Sequence, residues 1–353
     1  MRVMVIFGGR SGEHEVSLAS ARAVIAGLEG RHEVVPVGIT REGRWLLGGD
    51  PMRELEERRA ADGETPRAGR LPATSPARLP SSLEGDVVFP VLHGPYGEDG
   101  RLQGLLEMAG IPYVGSGVLA SAVAMDKITM KKVFAYHGLP QVRWLGFSRE
   151  RWARDRETIT REIERSLGYP CFVKPSNLGS SVGINKARDR KSLTPAVEEA
   201  ASLDRRVIVE EAVDAREVEV AVLGNENPEV SVPGEIVVKD NEFYDYEAKY
   251  TEGESELHVP APVNGGTSEE VGRVARSAFE AIDAAGMARV DFFLERGTDR
   301  LLINEINTIP GFTPTSVYAR LWAASGLPYE HLLDRLIGLA LDRHGREAPE
   351  SSA

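Results

Sequence analysis

RVDFFLERGTDRLLINEIN, residues 289–307, is the stretch on which the reading of this chain turns. Two strands flank a turn, and a turn centred near Thr298 sets Asp291 opposite Glu305 on neighbouring strands. Side chains two apart share a face, so Asn307 joins them. Two carboxylates and an amide oxygen on one patch suit Mg²⁺, which takes a few hard oxygen ligands and completes its octahedron with phosphate oxygens and water. The bland alternative is a solvated hairpin face whose acids happen to align. The apolar strands around Asp291 and Glu305 argue against it, because an unpaired carboxylate there is costly.

Working outward, EVEVAVLG at 217–224 alternates, and a long helix is expected from about Ser268 to Ala285, so residues 213–345 form a C-terminal α+β unit carrying the metal site. Before it, residues 127–212 hold a strand at Cys171–Lys174, a glycine- and serine-rich turn and a strand at Val207–Glu210. Residues 1–126 open with the apolar run 2–7, break at Gly8-Gly9 and continue as a helical pattern through Val16, Ala19, Ala23 and Leu28. Further apolar runs at Val34–Ile39 and Asp86–Leu92 make this first unit an α/β domain around a parallel sheet. Residues 50–82, rich in Arg, Glu, Pro, Ala and Ser, read as an exposed insertion, and 346–353 as a frayed tail.

The 353 residues suffice for such a three-unit chain. A net charge of −12 disfavours a nucleic-acid partner, while a compact anion such as ATP remains compatible with a locally cationic cleft. The lone Cys171 and the absence of a basic, apolar leader suggest the cytoplasm. No run approaches the about 18 apolar residues of a membrane span.

Four further segments carry chemistry, each with a plainer alternative. VKPSNLGSSVG at 173–183 lets backbone N–H groups and two hydroxyls approach phosphate oxygens, with Lys174 at its root, although a flexible hairpin loop would look similar. GGRSGEHEVS at 8–17 resembles a dinucleotide turn, but Glu13 and Glu15 stand where a pyrophosphate would lie. They suit an ammonium, or simply complement a helix dipole. LHGPYGEDGRLQG follows the third strand, and its His93 either orients substrate or packs. FYDYEAKYTEG at 243–253 clusters tyrosines with Lys249, as a lid or as packing.

With IPYVGSG, MDK, ARVDFFL and NEINTIPGFT, these motifs occur in the order of the D-alanine–D-alanine ligase family of the ATP-grasp superfamily, which the chain resembles from Gly8 to Ser316. That resemblance implies three domains, with ATP between the central and C-terminal sheets. It implies Mg²⁺, generally two ions and replaceable by Mn²⁺, on Asp291, Glu305 and Asn307. Lys127 and Lys174 match lysines that contact ATP phosphates, with Ser180, Ser181 and Lys249 in the same nucleotide site. Glu210 and Glu217 match the adenine hinge and ribose positions, with Val213 packing nearby. Glu13 matches the group receiving the first D-alanine's ammonium, in a set completed by Ser180 and Tyr250, and His93 falls beside that substrate. Arg289 and the N–H of Gly311 match the oxyanion contacts, and Ser316 the group holding the second carboxylate. The sequence departs from the family pattern at Glu211, Ala212 and Ile309.

The implied reaction joins two D-alanines through an acyl phosphate for peptidoglycan precursor synthesis, in an enzyme that is commonly a homodimer. Close alternatives are a D-alanine–D-lactate ligase, disfavoured by Tyr250, and another ATP-grasp carboxylate–amine ligase. A nucleotide-binding module without turnover is the non-enzymatic one.

Overall fold

RVMVIFG at Arg2–Gly8 (β1) has no polar alternation, so it must be covered on both faces. The structure, a computed structural model describing residues 1–62, 83–179, 182–238 and 255–347, satisfies this by placing β1 in the middle of a sheet. After α1 (His14–Leu28), β2 (Glu33–Ile39) pairs parallel with β1 on one side, and β4 (Val87–Pro90) pairs parallel on the other. Between them come β3 (Trp45–Leu47), antiparallel to β2, and α2 (Pro51–Asp62), so the expected parallel sheet carries one antiparallel edge strand. Helices α3 (Arg101–Met108) and α4 (Val118–Met125) follow.

Residues 51–62 correct the expectation of an exposed insertion across 50–82. They form a helix started by Asp50, whose Oδ1 accepts the Arg53 N–H at 3.0 Å, and Leu55 is buried in the core. Alternating-sign pairs such as Arg53–Glu57 and Arg58–Glu54 support that helix where apolar periodicity does not. The rest of the insertion, 63–82, lies outside the described residues.

The central unit contains α5 (Lys127–Tyr136), β5 (Trp144–Ser148), α6 (Arg149–Ser166), β6 (Cys171–Pro175), β7 (Asn185–Ala187), α7 (Arg190–Leu203) and β8 (Arg206–Glu211). Its sheet runs β5-β8-β6-β7, antiparallel throughout. Cys171, Val173, Val207 and Val209 face a core shared with Trp152, Ile159 and Val197 of α6 and α7. The strand period of two therefore turns Lys174 and Glu210 to the opposite face.

The last unit holds β9 (Ala215–Gly224), β10 (Glu229–Val230), β11 (Gly234–Val238), β12 (Ser255–His258), α8 (Gly265–Ala281), β13 (Gly286–Glu295), β14 (Leu301–Asn307), α9 (Val317–Ala324) and α10 (Tyr329–Glu347). The sheet order is β12-β11-β9-β13-β14, with β10 paired to β9. Val218, Val220, Val222, Val290, Phe292 and Ile306 bury one face against Val271, Val274 and Phe279 of α8. Each such fully buried side chain contributes about 1.5–3 kcal/mol.

Helix α10 continues past the expected frayed point at residue 346 to Glu347. Its Leu332, Leu333, Leu336 and Ile337 share a core with Val3, Val5 and Phe7 of β1 and Met287 of β13. The C-terminal helix thus fastens the N-terminal sheet to the C-terminal one. No helix among the described residues is long and apolar enough to cross a membrane.

Candidate active site

The polar face of the C-terminal sheet is set by the same alternation that buries its valines. Asp291 pairs with Glu219 of β9 on one side and with Glu305 of β14 on the other, so three carboxylates run in a row across three strands. Arg289 and Asn307, paired with each other, form the next row on the same face. Glu219 escaped the sequence reading, although EVEV placed it two residues after Glu217. Only the pairing of β9 with β13 brings it beside the hairpin.

The expected Asp291–Glu305 pairing is present, and a bulge produces it. Leu294 pairs with Leu301 and Phe292 with Ile303, after which the register shifts and Asp291 meets Glu305, leaving Asn304 as the extra residue. Were Asn304 paired in regular register instead, Glu305 would fall opposite Val290 and point into the α8 core.

Cations hold this acidic patch together. Arg289 donates from Nε and Nη2 to the two oxygens of Asp291, both at 2.7 Å, and its Nε lies 3.0 Å from Glu219. Burial opposes the Arg289 charge, but Asp291 and Glu219 outweigh it and hold the guanidinium beyond its ordinary range. Lys127 Nζ lies 3.7 Å from Glu305 and donates to the Leu178 carbonyl at 2.9 Å, linking the carboxylate to the glycine-rich loop. Asn307 Oδ1 accepts the Ile309 N–H at 3.1 Å. Among the described residues no three His, Cys, Asp or Glu side chains are grouped to hold a metal. A donor set of Asp291, Glu305 and Asn307 still fits an ion that shares its shell with phosphate, because Mg²⁺ takes one or two carboxylates plus substrate oxygens.

Beside this patch lies a second charged cluster. Glu210 is clasped by Lys174 Nζ at 2.6 Å and Lys131 Nζ at 3.0 Å. Burial alone would raise its carboxyl, yet the two ammonium groups pull it down to about 2. Lys131 had no place in the sequence reading: in MDKITMKKVF it resembles any surface lysine, yet it is buried.

The opposite wall comes from the N-terminal unit. Gly94 has φ +73°, and a Cβ there would fall 2.4 Å from Glu13 Oε2, so only glycine admits this carboxylate. A Cβ on Gly179 would come within 3.1 Å of the same oxygen, which places the root of the glycine-rich loop over Glu13. Glu15 turns away to Arg41, 2.8 Å distant. Glu98, also unassigned from sequence, accepts the Gly94 N–H at 2.9 Å, while its Oε2 is buried without a hydrogen-bond partner among the described residues. Burial, then the Glu13 charge, push its carboxyl well above the usual range.

His93 joins the two units. A carbonyl can only accept, so Nδ1–H donates to Ile309 O at 3.0 Å and Nε2 accepts from Ser20 Oγ at 3.1 Å. Ser20 Oγ in turn accepts the Phe312 N–H at 3.2 Å. Both imidazole nitrogens are thus used to fix the 309–312 loop, and burial lowers the ring's pKa to about 4. Gly311 lies in that loop, where a Cβ would meet Ser316 Oγ at 3.3 Å. Ser316 precedes α9, whose N-terminal N–H groups favour an anion, and Arg320 lies one turn further on.

A cavity of about 620 Å³ gathers Glu13, His93, Lys127, Arg289, Glu305, Asn307, Gly311 and Ser316 from the expected set, with Glu98, Glu219 and Arg320 added. Lys174, Glu210 and Asp291 are buried and do not line it, nor do Val213 and Glu217. Ser180, Ser181, Lys249 and Tyr250, and the expected lid at 243–253, lie outside the described residues.

Comparison with known proteins identifies the family to which both halves of the chain are similar. The family model for the D-ala D-ala ligase N-terminus matches residues 2–116, and that for the D-ala D-ala ligase C-terminus matches 133–338. The D-alanine–D-alanine ligase of Geobacillus thermodenitrificans is 49% identical, covering 97% of this chain and 96% of the relative. That of Heliobacterium modesticaldum is 48% identical over 97% and 95%. Among solved structures, the D-alanine-D-alanine ligase from Coxiella burnetii superposes with a TM-score of 0.82 at 36% identity, covering 98% and 95% of the two chains. The VanG D-Ala:D-Ser ligase of Enterococcus faecalis superposes at 0.81 with 37% identity, covering 96% and 99%.

Proposed function

The chain belongs to the D-alanine–D-alanine ligase family, and from that premise we infer that it joins two D-alanine molecules at the expense of ATP, supplying D-alanyl-D-alanine for peptidoglycan precursors. The observation that carries the site assignment is the pairing of Asp291 with Glu305 on a face that also presents Arg289, beside Lys127 and the Lys174–Glu210 pair.

Lys127 and Lys174 draw in the triphosphate, and the backbone of the glycine-rich loop covers it. Asp291, Glu305 and Asn307 would hold Mg²⁺, as two ions replaceable by Mn²⁺, and the metal supplies charge neutralisation at the transferring phosphoryl group. Glu13 receives the ammonium of the first D-alanine, whose carboxylate oxygen attacks the γ-phosphorus while ADP leaves. Ser316 and the start of α9 hold the carboxylate of the second D-alanine. Its ammonium gives a proton to solvent, and the free amine attacks the acyl phosphate carbonyl, the proton lost on amide formation passing to the departing phosphate. Arg289 and the Gly311 N–H stabilise the oxyanion, and inorganic phosphate departs with the C–O bond electrons. Ser180 and Tyr250 complete the Glu13 set, with Ser181 and Lys249 on the nucleotide. Glu210, Val213 and Glu217 serve adenine and ribose. His93 contributes by holding Gly311 in place. The enzyme acts in the cytoplasm as a homodimer, a state that sedimentation of the purified chain checks.

The deciding experiment measures phosphate release and dipeptide formation with ATP, Mg²⁺ and D-alanine, against D-lactate and D-serine as second substrates. D-alanyl-D-alanine as the main product is expected. Preferential use of D-lactate or D-serine would overturn the substrate assignment, and absence of ATP-dependent turnover the whole reading.

A further inference from the structure

Two ammonium groups share one buried carboxylate at Glu210, and they are not equivalent. The Lys131 side chain is 1% exposed and that of Lys174 10%. Lys131 Nζ also reaches the carbonyl of Asn304 at 3.4 Å, the residue that the β14 bulge leaves out of the strand pairing. Lys131 is therefore tethered between the central and C-terminal sheets, whereas Lys174, at the root of the glycine-rich loop, has Glu210 as its hydrogen-bond acceptor.

We propose that Lys131 is a positioning residue for nucleotide binding: it keeps Glu210 paired when Lys174 leaves that carboxylate for the phosphates of ATP. This rests on Lys174 being a phosphate ligand, as argued above. A buried carboxylate stripped of its only cation is strongly unfavourable, so a lone Lys174–Glu210 pair would resist opening. The second ammonium removes that obstacle. In the nucleotide-free cluster two positive charges face one negative charge, and an arriving anion completes the balance. Burial holds the Lys131 pKa below its ordinary value although Glu210 pulls it up, and the neighbouring Lys174 adds to the lowering. The groups facing the cluster are Glu210, Lys174, Lys131 and, further off, Glu305 and Glu217.

The test compares the affinities of the full-length protein for ATP and for adenosine, which lacks phosphates, by calorimetry. Lys131→Met is expected to reduce the ATP-to-adenosine affinity ratio about tenfold, a coupling typical of groups in one charged network. Glu210→Gln is expected to raise the ratio, because neither lysine then has a carboxylate to hold it back, and Lys131→Met/Glu210→Gln to return it towards the parent value. Lys131→Arg, which retains a cation, should keep it. Should Lys131→Met fail to fold, Lys131→Gln, which keeps a polar group but no cation, takes its place with the same expected fall, and an unchanged ratio there would overturn the proposal. Equal weakening of ATP and adenosine in Lys131→Met, unrelieved in the double variant, would mean a purely structural lysine and overturn the proposal. Lys174→Met is the reference: if it leaves the ratio unchanged, the phosphate-ligand reading falls and this inference with it. If it lowers the ratio and Lys131→Met does not, this inference alone falls.

Discussion

Asp291 stands directly across the sheet from Glu305 only because Asn304 is bulged out of β14. The bulge turns Glu305 from the valine-rich face to the face with Arg289, and so brings together the two carboxylates to which the proposed function gives the metal. Glu305→Gln is expected to cut kcat by more than about 100-fold, since loss of a ligand should exceed the 10–100-fold typical of its supporting contacts. Its side chain is 26% exposed, so the far-ultraviolet spectrum and Tm should stay near the parent values. Turnover close to normal would contradict the metal assignment.

The bulge also explains what the sequence could show. The 289–307 hairpin advertised itself through two apolar runs and a turn, and a turn centred near Thr298 leads to the observed Asp291–Glu305 pair. The actual turn lies half a residue earlier, and the bulge restores the register. Asn307 followed from strand periodicity alone. Glu219, Glu98 and Lys131 did not, because each acquires its neighbours from an element distant in sequence: β13, the Glu13 segment and β8. The α2 helix was hidden by a charged composition that lacks an apolar stripe, and α10 gives no sign in its own sequence that it will cover β1.

Arg289 meets Asp291 through a two-pronged contact that lysine cannot reproduce. Arg289→Lys keeps the charge but frees one oxygen of Asp291 and, under the proposed mechanism, misplaces the oxyanion donor. A kcat loss of about 10²–10³, as for removal of one oxyanion donor, is expected, with little change in ATP affinity. If ATP binding weakened as much as kcat fell, Arg289 would belong to the nucleotide site instead.

Glu98 makes a prediction about stability. Its carboxyl is raised by burial and by Glu13, so the folded protein binds that proton more tightly than the unfolded chain does. The associated stability is fully present below the unfolded value of 4.5 and is lost as pH rises towards the folded one. Glu98→Gln keeps an acceptor for the Gly94 N–H and has no charge to bury. Its Tm should therefore gain on the parent at pH 8 and show no such gain at pH 4. A pH-independent difference would mean that Glu98 is ionised in the folded state.

His93 behaves in the opposite sense. Burial lowers its pKa from 6.5 to about 4, so between these values the unfolded chain binds a proton that the native protein refuses. Stability from this residue is complete above pH 6.5 and declines as pH falls towards 4. His93→Gln, which carries no titrating ring, should flatten the Tm profile across that window while loosening the Ser20–His93–Ile309 link. Because that link supports Gly311 rather than the nucleotide, the KM for the second D-alanine should rise while that for ATP stays close to the parent value. Steady-state kinetics at pH 8, where the parent histidine is neutral, separate the two effects: an unchanged KM for D-alanine there would show that the 309–312 loop is held without His93.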